Sequence, residues 1–512
     1  MLAKLRARAA AGFVLLLPAL AQQARRGEIA FEPYSLVTYD GQPHAAELGR
    51  LLVPENRRSA ASRLIQIAFV RLKSTAQKPA APIVYLSGGP GVPGIVMARV
   101  PVYYSLFDKL RQVADVILLD QRGCGMSSPN LNDCPAGGAF PADAFEDAER
   151  FKHALADATG NCARYWRSKG ADVAGYNTEE SADDVEDLRL ALGAAKISLL
   201  GHSYGTELAL AVIRRHGDAV ERAALASVEG PGDHGTMPSV FDLQLKKISR
   251  LVASNTAIGK DVPDLVALFQ HDAERLDRQP ATITATRQKT KQPVSLTAGG
   301  IALRFIVERM LPNGRAVAKL PALLESVNAR DDSLLQERLE SLYNDFDAGI
   351  TLMGRTMDCS ARTPPSRLAQ TESEGRESLF GDVIRIDMAP EICQAAVGDF
   401  ALSSEYFAPL FSAVPTLFLS GTLDANTPPM KAERIRWGFP RSTHIVVENG
   451  FHETLPAEEA QALVADFFAG QDVSGRHVRF EAPRFATVDE AKRGQGRPAI
   501  ELPARGATQQ FQ

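Results

Sequence analysis

Gly201-His202-Ser203-Tyr204-Gly205 follows the apolar run Lys196-Ile197-Ser198-Leu199-Leu200 and precedes Thr206-Glu207-Leu208-Ala209-Leu210-Ala211-Val212-Ile213. The order reads as a strand, a sharp glycine-flanked turn bearing a serine, and a helix. Such a turn holds the serine in a strained backbone conformation and leaves no room for side chains on either flank, which explains the two glycines. The hydroxyl of Ser203 then points out of the sheet. The helix beyond it turns its positive end toward the same place, where a developing oxyanion would be favoured. Gly-x-Ser-x-Gly alone fixes only three positions and occurs by chance in ordinary loops, so its context carries the weight.

Downstream, Val414-Pro415-Thr416-Leu417-Phe418-Leu419-Ser420-Gly421 reads as a buried strand, and Thr422-Leu423-Asp424-Ala425-Asn426-Thr427-Pro428-Pro429 sets an aspartate just past it. Thr443-His444-Ile445-Val446-Val447-Glu448 reads as another strand, followed by Asn449-Gly450-Phe451-His452-Glu453. Each group lies past the carboxyl end of a strand, where open α/β sheets build their sites. A serine hydroxyl is a poor nucleophile at neutral pH and needs a base within hydrogen-bond reach. His452 would take its proton and return it to the leaving group, and Asp424 would hold the imidazole in the correct tautomer. Among the 9 histidines, His444 sits inside a strand-like run, His216 near the end of a helix, and His202 at the variable position of the serine turn. Only His452 combines a strand, a glycine-containing turn and a place after Asp424.

The strand-like Pro82-Ile83-Val84-Tyr85-Leu86 runs into Ser87-Gly88-Gly89-Pro90-Gly91. Backbone amides approach a tetrahedral intermediate closely where side chains are absent, so the amide of Gly89 is assigned as one oxyanion donor and that of Tyr204 as the other. Neither phosphate-cradling glycine motif is present at this loop, and a simple Gly-Pro turn is the plain alternative.

Three ordered motifs carry a resemblance. Ser87 to Gly91, the segment Asp120-Gln121-Arg122-Gly123-Cys124-Gly125-Met126-Ser127-Ser128-Pro129 and the Gly201 to Gly205 turn are similar to those of the proline iminopeptidase and tripeptidyl aminopeptidase family of α/β-hydrolases. Tyr176 to Arg189 and Gly421 to Pro428 resemble the tripeptidyl aminopeptidase branch, and the similarity spans roughly residues 82 to 455. The base loop departs from the family, which commonly has Gly-Gly-x or Gly-His where this chain has Gly450-Phe451-His452. The resemblance implies an α/β-hydrolase fold, a mostly parallel central sheet with flanking helices and an inserted helical cap. It also implies a serine hydrolase without cofactor that releases amino-terminal residues from short peptides through an acyl-enzyme. Pairings in secreted relatives imply disulfides Cys134 with Cys162 and Cys359 with Cys393; Cys124, the fifth cysteine, is read as a buried thiol. No cysteine has the Cys-x-x-Cys spacing of a metal or redox site. The same triad would serve an esterase acting on small esters or lactones, and a noncatalytic binding protein on this scaffold is the alternative of another class.

Alternating strand and helix patterns over residues 30–230 give the first part of the core, helical periodicity over 231–405 the cap, and 406–475 the second part. Residues 476–512, carrying Pro, Arg and Gln, read as a loosely attached tail. Lys4, Arg6 and Arg8, the apolar stretch Ala9 to Leu20 and the small-residue site Ala19-Leu20-Ala21 make residues 1–21 a secretory signal peptide, and so predict a secreted or periplasmic protein. An uncleaved amphipathic terminus, or a cytoplasmic protein with five inert thiols, are the alternatives. A formal charge of −4 gives no basic footprint for nucleic acid. No later segment has the roughly 20 apolar residues of a spanning helix, so no stable membrane insertion is expected after leader cleavage. Glu229, in Glu229-Gly230-Pro231-Gly232, is a candidate partner for a substrate's free α-ammonium, which an exopeptidase must pair with a buried anion; a turn cap is the plainer reading. Glu207, one turn into the helix, is a similar candidate, whereas Arg122 is expected to order its glycine-rich loop. Oligomeric state is not legible.

Overall fold

The computed structural model describes residues 26–233 and 236–494. The leader assigned to residues 1–21 lies outside them. Eleven strands in chain order are β1 Ile29–Val37, β2 Pro43–Pro54, β3 Leu64–Leu72, β4 Ile83–Leu86, β5 Val116–Leu119, β6 Ile197–His202, β7 Val220–Ala226, β8 Ala281–Thr286, β9 Pro293–Ala298, β10 Thr416–Gly421 and β11 Ser442–Val447. Nine form one sheet in the order β1-β2-β3-β5-β4-β6-β7-β10-β11. The edge through β3 pairs antiparallel, and β5 through β11 run parallel.

Sequence and layering agree. Strands β4, β5, β6 and β10 are buried at every position, as a parallel sheet covered on both faces requires. Tyr85, Leu118, Leu200 and Leu419 pack on one side with Phe107 and Phe467. Val84, Ile117, Leu199 and Phe418 face the other side, with Leu208 and Leu155. The parallel strands therefore all present their carboxyl ends at one edge, where the loops bearing Gly88, Ser203, Asp424 and His452 emerge.

Between β7 and β10, which pair directly from Ala223 with Thr416 to Ala226 with Leu419, the chain leaves the sheet. The segment is mostly helical, including Pro238–Ala253, Leu265–Arg278, Gly300–Met310, Ser333–Asp347 and Leu352–Ser360. The helical reading missed the antiparallel hairpin β8-β9. Thr282-Ile283-Thr284-Ala285-Thr286 alternates small β-branched and apolar residues, and Ile283 and Ala285 are buried while their neighbours are exposed, a two-residue period. Disulfides join Cys134 to Cys162 and Cys359 to Cys393, and Cys124 is a buried free thiol.

The loose tail needs correction for residues 476–494. Val478, Phe485 and Ala491 are buried, the amide of Ala486 bonds the carbonyl of Ala318, and Thr487 and Glu490 form a capping box on helix Val488–Arg493. The apolar residues are few and widely spaced, so composition concealed that each finds a place against the preceding chain.

Arg122 is fully buried. Its guanidinium donates to both oxygens of Asp184, at 2.7 and 2.6 Å, and to the carbonyls of Glu55 and Gly175 at 2.6 and 2.5 Å. It ties β2, the Gln121 to Gly125 turn and helix Thr178–Ala191 together, as the loop-ordering reading expects. Removing one partner of a buried pair strands the other charge, so Arg122→Met should lower unfolding free energy by about 3–5 kcal/mol in a urea titration at unchanged m. A loss under about 1 kcal/mol would show that Arg57, which also reaches Asp184 at 2.8 Å, suffices alone.

Candidate active site

Ser203 sits at φ 55° and ψ −128°, between β6 and helix Tyr204–His216. The backbone of a side-chain-bearing residue adopts this region only where its surroundings enforce it. Those surroundings are close. A Cβ on Gly205 would lie 1.9 Å from the Leu86 carbonyl oxygen, and one on Gly201 would lie 2.7 Å from that of Gly205. Gly205 is thus required by the neighbouring strand β4, and Gly201 by the tightness of the turn itself.

The structure brings Ser203, His452 and Asp424 into one hydrogen-bonded row. Ser203 Oγ is 2.9 Å from His452 Nε2, and His452 Nδ1 is 3.0 and 3.1 Å from the two oxygens of Asp424. The extra residue in Gly450-Phe451-His452 does not displace the imidazole. Its loop is fixed by the His452 amide donating to the Pro312 carbonyl at 3.0 Å, and by the Ser227 hydroxyl donating to the His452 carbonyl. His202 Nε2 also lies 3.3 Å from that carbonyl oxygen. His202 therefore braces the base loop, and among the described histidines His452 alone is hydrogen-bonded to the hydroxyl of Ser203.

Asp424 is buried and held by donors. The amides of Asn426 and Thr427 reach its Oδ1 at 2.9 and 3.0 Å, and the Thr427 hydroxyl reaches Oδ2 at 2.6 Å. Burial raises its pKa, but the charge and hydrogen bond of His452, followed by Thr427, outweigh it and bring the group down to about 2. For His452, burial disfavours the cation; the Asp424 charge and hydrogen bond overcome this and lift it above its ordinary 6.5. Thr427 is a residue the sequence reading missed. Its place in a helix-leading Asn-Thr-Pro turn was the only signal.

The oxyanion candidates occupy the same place. Gly89 has φ +116° and lines the cavity above Ser203. Tyr204 is the first helical residue, so its N–H has no intrahelical acceptor, while its side chain is buried with the hydroxyl 3.0 Å from Thr178 Oγ1. Gly88 also matters. A Cβ there would come 2.9 Å from the Ser203 Cβ, so the first glycine of the pair gives the serine its room.

The serine opens into a cavity of about 340 Å³ whose wall includes Glu229, Glu308, Asp358, Asp387 and Glu453 beside the single lining cation Arg309 among the described residues. Glu229 is among these lining residues, with its carboxylate 3.8 Å from the buried Lys431 ammonium. Glu207 lies elsewhere, buried and accepting from the Tyr406 hydroxyl. Glu308, Asp358 and Asp387 come from the segment between β7 and β10 and were not anticipated. Only tertiary packing brings them to the cavity. Among the described residues no helix is long and apolar enough to cross a membrane.

Known proteins share parts of this chain. The tripeptidyl aminopeptidase of Streptomyces coelicolor is 28% identical over 198 residues, covering 37% of this chain and 36% of its own. Serine protease Hip1 of Mycobacterium tuberculosis is 27% identical over 311 residues, 57% of this chain and 58% of its own. The putative hydrolase YuaR of Escherichia coli is 28% identical over 151 residues, 28% and 27% of the two chains. The chain thus spans between about a quarter and three fifths of the length of these relatives. Residues 81–458 match the family described as the alpha/beta hydrolase fold, from β4 through the loop of His452, and the chain belongs to that family.

Proposed function

We propose that this protein is a serine hydrolase cleaving amides at the amino end of short peptides, with Ser203 as nucleophile, His452 as base and Asp424 as its orienting carboxylate. The observation that carries the reading is the Ser203–His452–Asp424 hydrogen-bond row opening into a cavity whose wall carries the carboxylates of Glu229, Glu308, Asp358, Asp387 and Glu453. His452 takes the Ser203 proton as Oγ attacks the carbonyl, and the amides of Gly89 and Tyr204 receive the oxyanion. The acyl-enzyme is then hydrolysed by water activated through the same imidazole. Carboxylates of the wall, Glu229 among them, favour a substrate whose amino terminus is a free ammonium. The names of the relatives, tripeptidyl aminopeptidase and serine protease, support the amide reading.

On this reading residues 231–405 form a cap over the site, between core parts 30–230 and 406–475. It would limit access to chain ends. The two disulfides support a place outside the cytoplasm, and with the leader read from residues 1–21 the protein is assigned to the periplasm or the exterior.

The deciding experiment compares aminoacyl and short peptidyl arylamides, with free and acetylated amino termini, with p-nitrophenyl esters. Free-amine amides should turn over about 10- to 100-fold better than acetylated ones, the worth of one charged hydrogen bond. Ester cleavage without amide turnover would make the protein an esterase. Inertness toward a fluorophosphonate probe would leave only a binding scaffold.

A further inference from the structure

One carboxylate of the cavity stands apart from the rest. Glu453 follows His452 in the chain, and its Oε2 accepts from the buried Tyr103 hydroxyl and lies 3.6 Å from His202 Nε2. Beside it Tyr85, also lining the cavity, is fully buried with a hydroxyl that has no hydrogen-bond partner among the described residues. An orphaned hydroxyl and a fixed carboxylate in the wall of one cavity make a polar pocket awaiting a ligand. Its position indicates which ligand. In acyl transfer the leaving group departs within reach of the base nitrogen that protonates it, and Glu453 is carried by the loop that carries that base.

We propose that Glu453, with Tyr85, binds the amine that leaves on acylation, making this pocket the product-amine side of the site. The inference rests on the acyl-transfer reading of Ser203 and His452. As the tetrahedral intermediate collapses, the oxyanion pair re-forms the carbonyl, the C–N bond breaks, and the nitrogen takes the proton from His452 Nε2. The result is acyl-Ser203 and a neutral amine. That amine gains a second proton from water and is held as an ammonium by Glu453. In reverse, an added ammonium seated there returns its extra proton to water, attacks the acyl-enzyme as the neutral amine in place of water, and gives a further proton to His452 as the new C–N bond forms.

The test starts from an ester, so it does not depend on amide turnover. A p-nitrophenyl ester acylates the enzyme in the presence of glycinamide or methanol, and the amide, methyl ester and free acid formed are quantified. Each product ratio is internal to one acyl-enzyme and is independent of how much protein is folded. Glu453→Gln should lower the aminolysis-to-hydrolysis ratio about tenfold while the methanolysis-to-hydrolysis ratio holds, and Glu453→Asp should recover part of the loss. Both ratios unchanged, both falling together, or wild-type aminolysis no higher than in free solution would each overturn the proposal. Wild type that partitions to glycinamide but cleaves no amide substrate would instead sink the exopeptidase reading alone, and absence of any Ser203-linked acyl-enzyme would sink both.

Discussion

Ser203→Ala lowers kcat on the best arylamide substrate by about 10⁵- to 10⁶-fold, with unfolding free energy unchanged to within about 1 kcal/mol. The loss is large because Oγ is the atom that becomes covalently bonded, and among the described residues no other serine hydroxyl is hydrogen-bonded to the Nε2 of His452, 2.9 Å away. Stability is spared for a reason specific to the turn. The strain at φ 55° is a property of any residue with a Cβ, and alanine keeps the same Cβ against the space that Gly88 leaves. Stopped assays with enough enzyme to detect 10⁻⁶ of wild-type turnover, together with urea unfolding, check both halves. Normal activity in this variant would remove Ser203 from the chemistry altogether.

Asp424→Asn should lower kcat by about 10⁴-fold, and it carries a second signature in pH. The carboxylate, held at about 2, is ionised throughout the working range and lifts His452 above 6.5. A general base must be neutral, so wild-type kcat/KM should fall as pH drops through a midpoint above 6.5. Asparagine withdraws the charge that stabilises the imidazolium; the residual activity of the variant should therefore have its acid midpoint at lower pH than wild type. A pH profile of kcat/KM for both proteins reads the two effects together. A midpoint that stays put would mean that another group limits the acid side. Thr427 shares His452 Nδ1 at 3.1 Å and donates to Asp424, which makes it the first residue to examine in that case.

Sequence made the row of Ser203, Asp424 and His452 legible for a physical reason. Ser203 and Asp424 each follow a fully buried strand, His452 follows the partly covered edge strand β11, and parallel strands deliver their carboxyl-end residues to one edge. What lies across helices was hidden. Glu308 and Asp358 belong to amphipathic stretches whose pattern says which face is buried but not what that face meets, so their convergence on the serine's cavity leaves no mark in periodicity. Hairpin β8-β9 is short and lies within a helical neighbourhood, and its two-residue alternation was overruled by the surrounding pattern. The tail from Val478 to Ala491 failed differently, because three buried side chains among charged and proline residues are too sparse for a compositional test. The room that Gly88 leaves for Ser203 was hidden for the same reason as Glu308 and Asp358, since only the folded sheet brings the two turns together.

Strand β10 joins the sheet beside β7 only after the whole intervening segment has been made, and His452 lies 249 residues beyond Ser203. A chain synthesised amino end first therefore carries its serine through a long interval with neither proton acceptor nor orienting carboxylate. The loop that finally brings the acceptor is itself fastened to Pro312 of the inserted helices. Assembly of the last strands is thus the step that completes the row, and until then Ser203 stands without its partners.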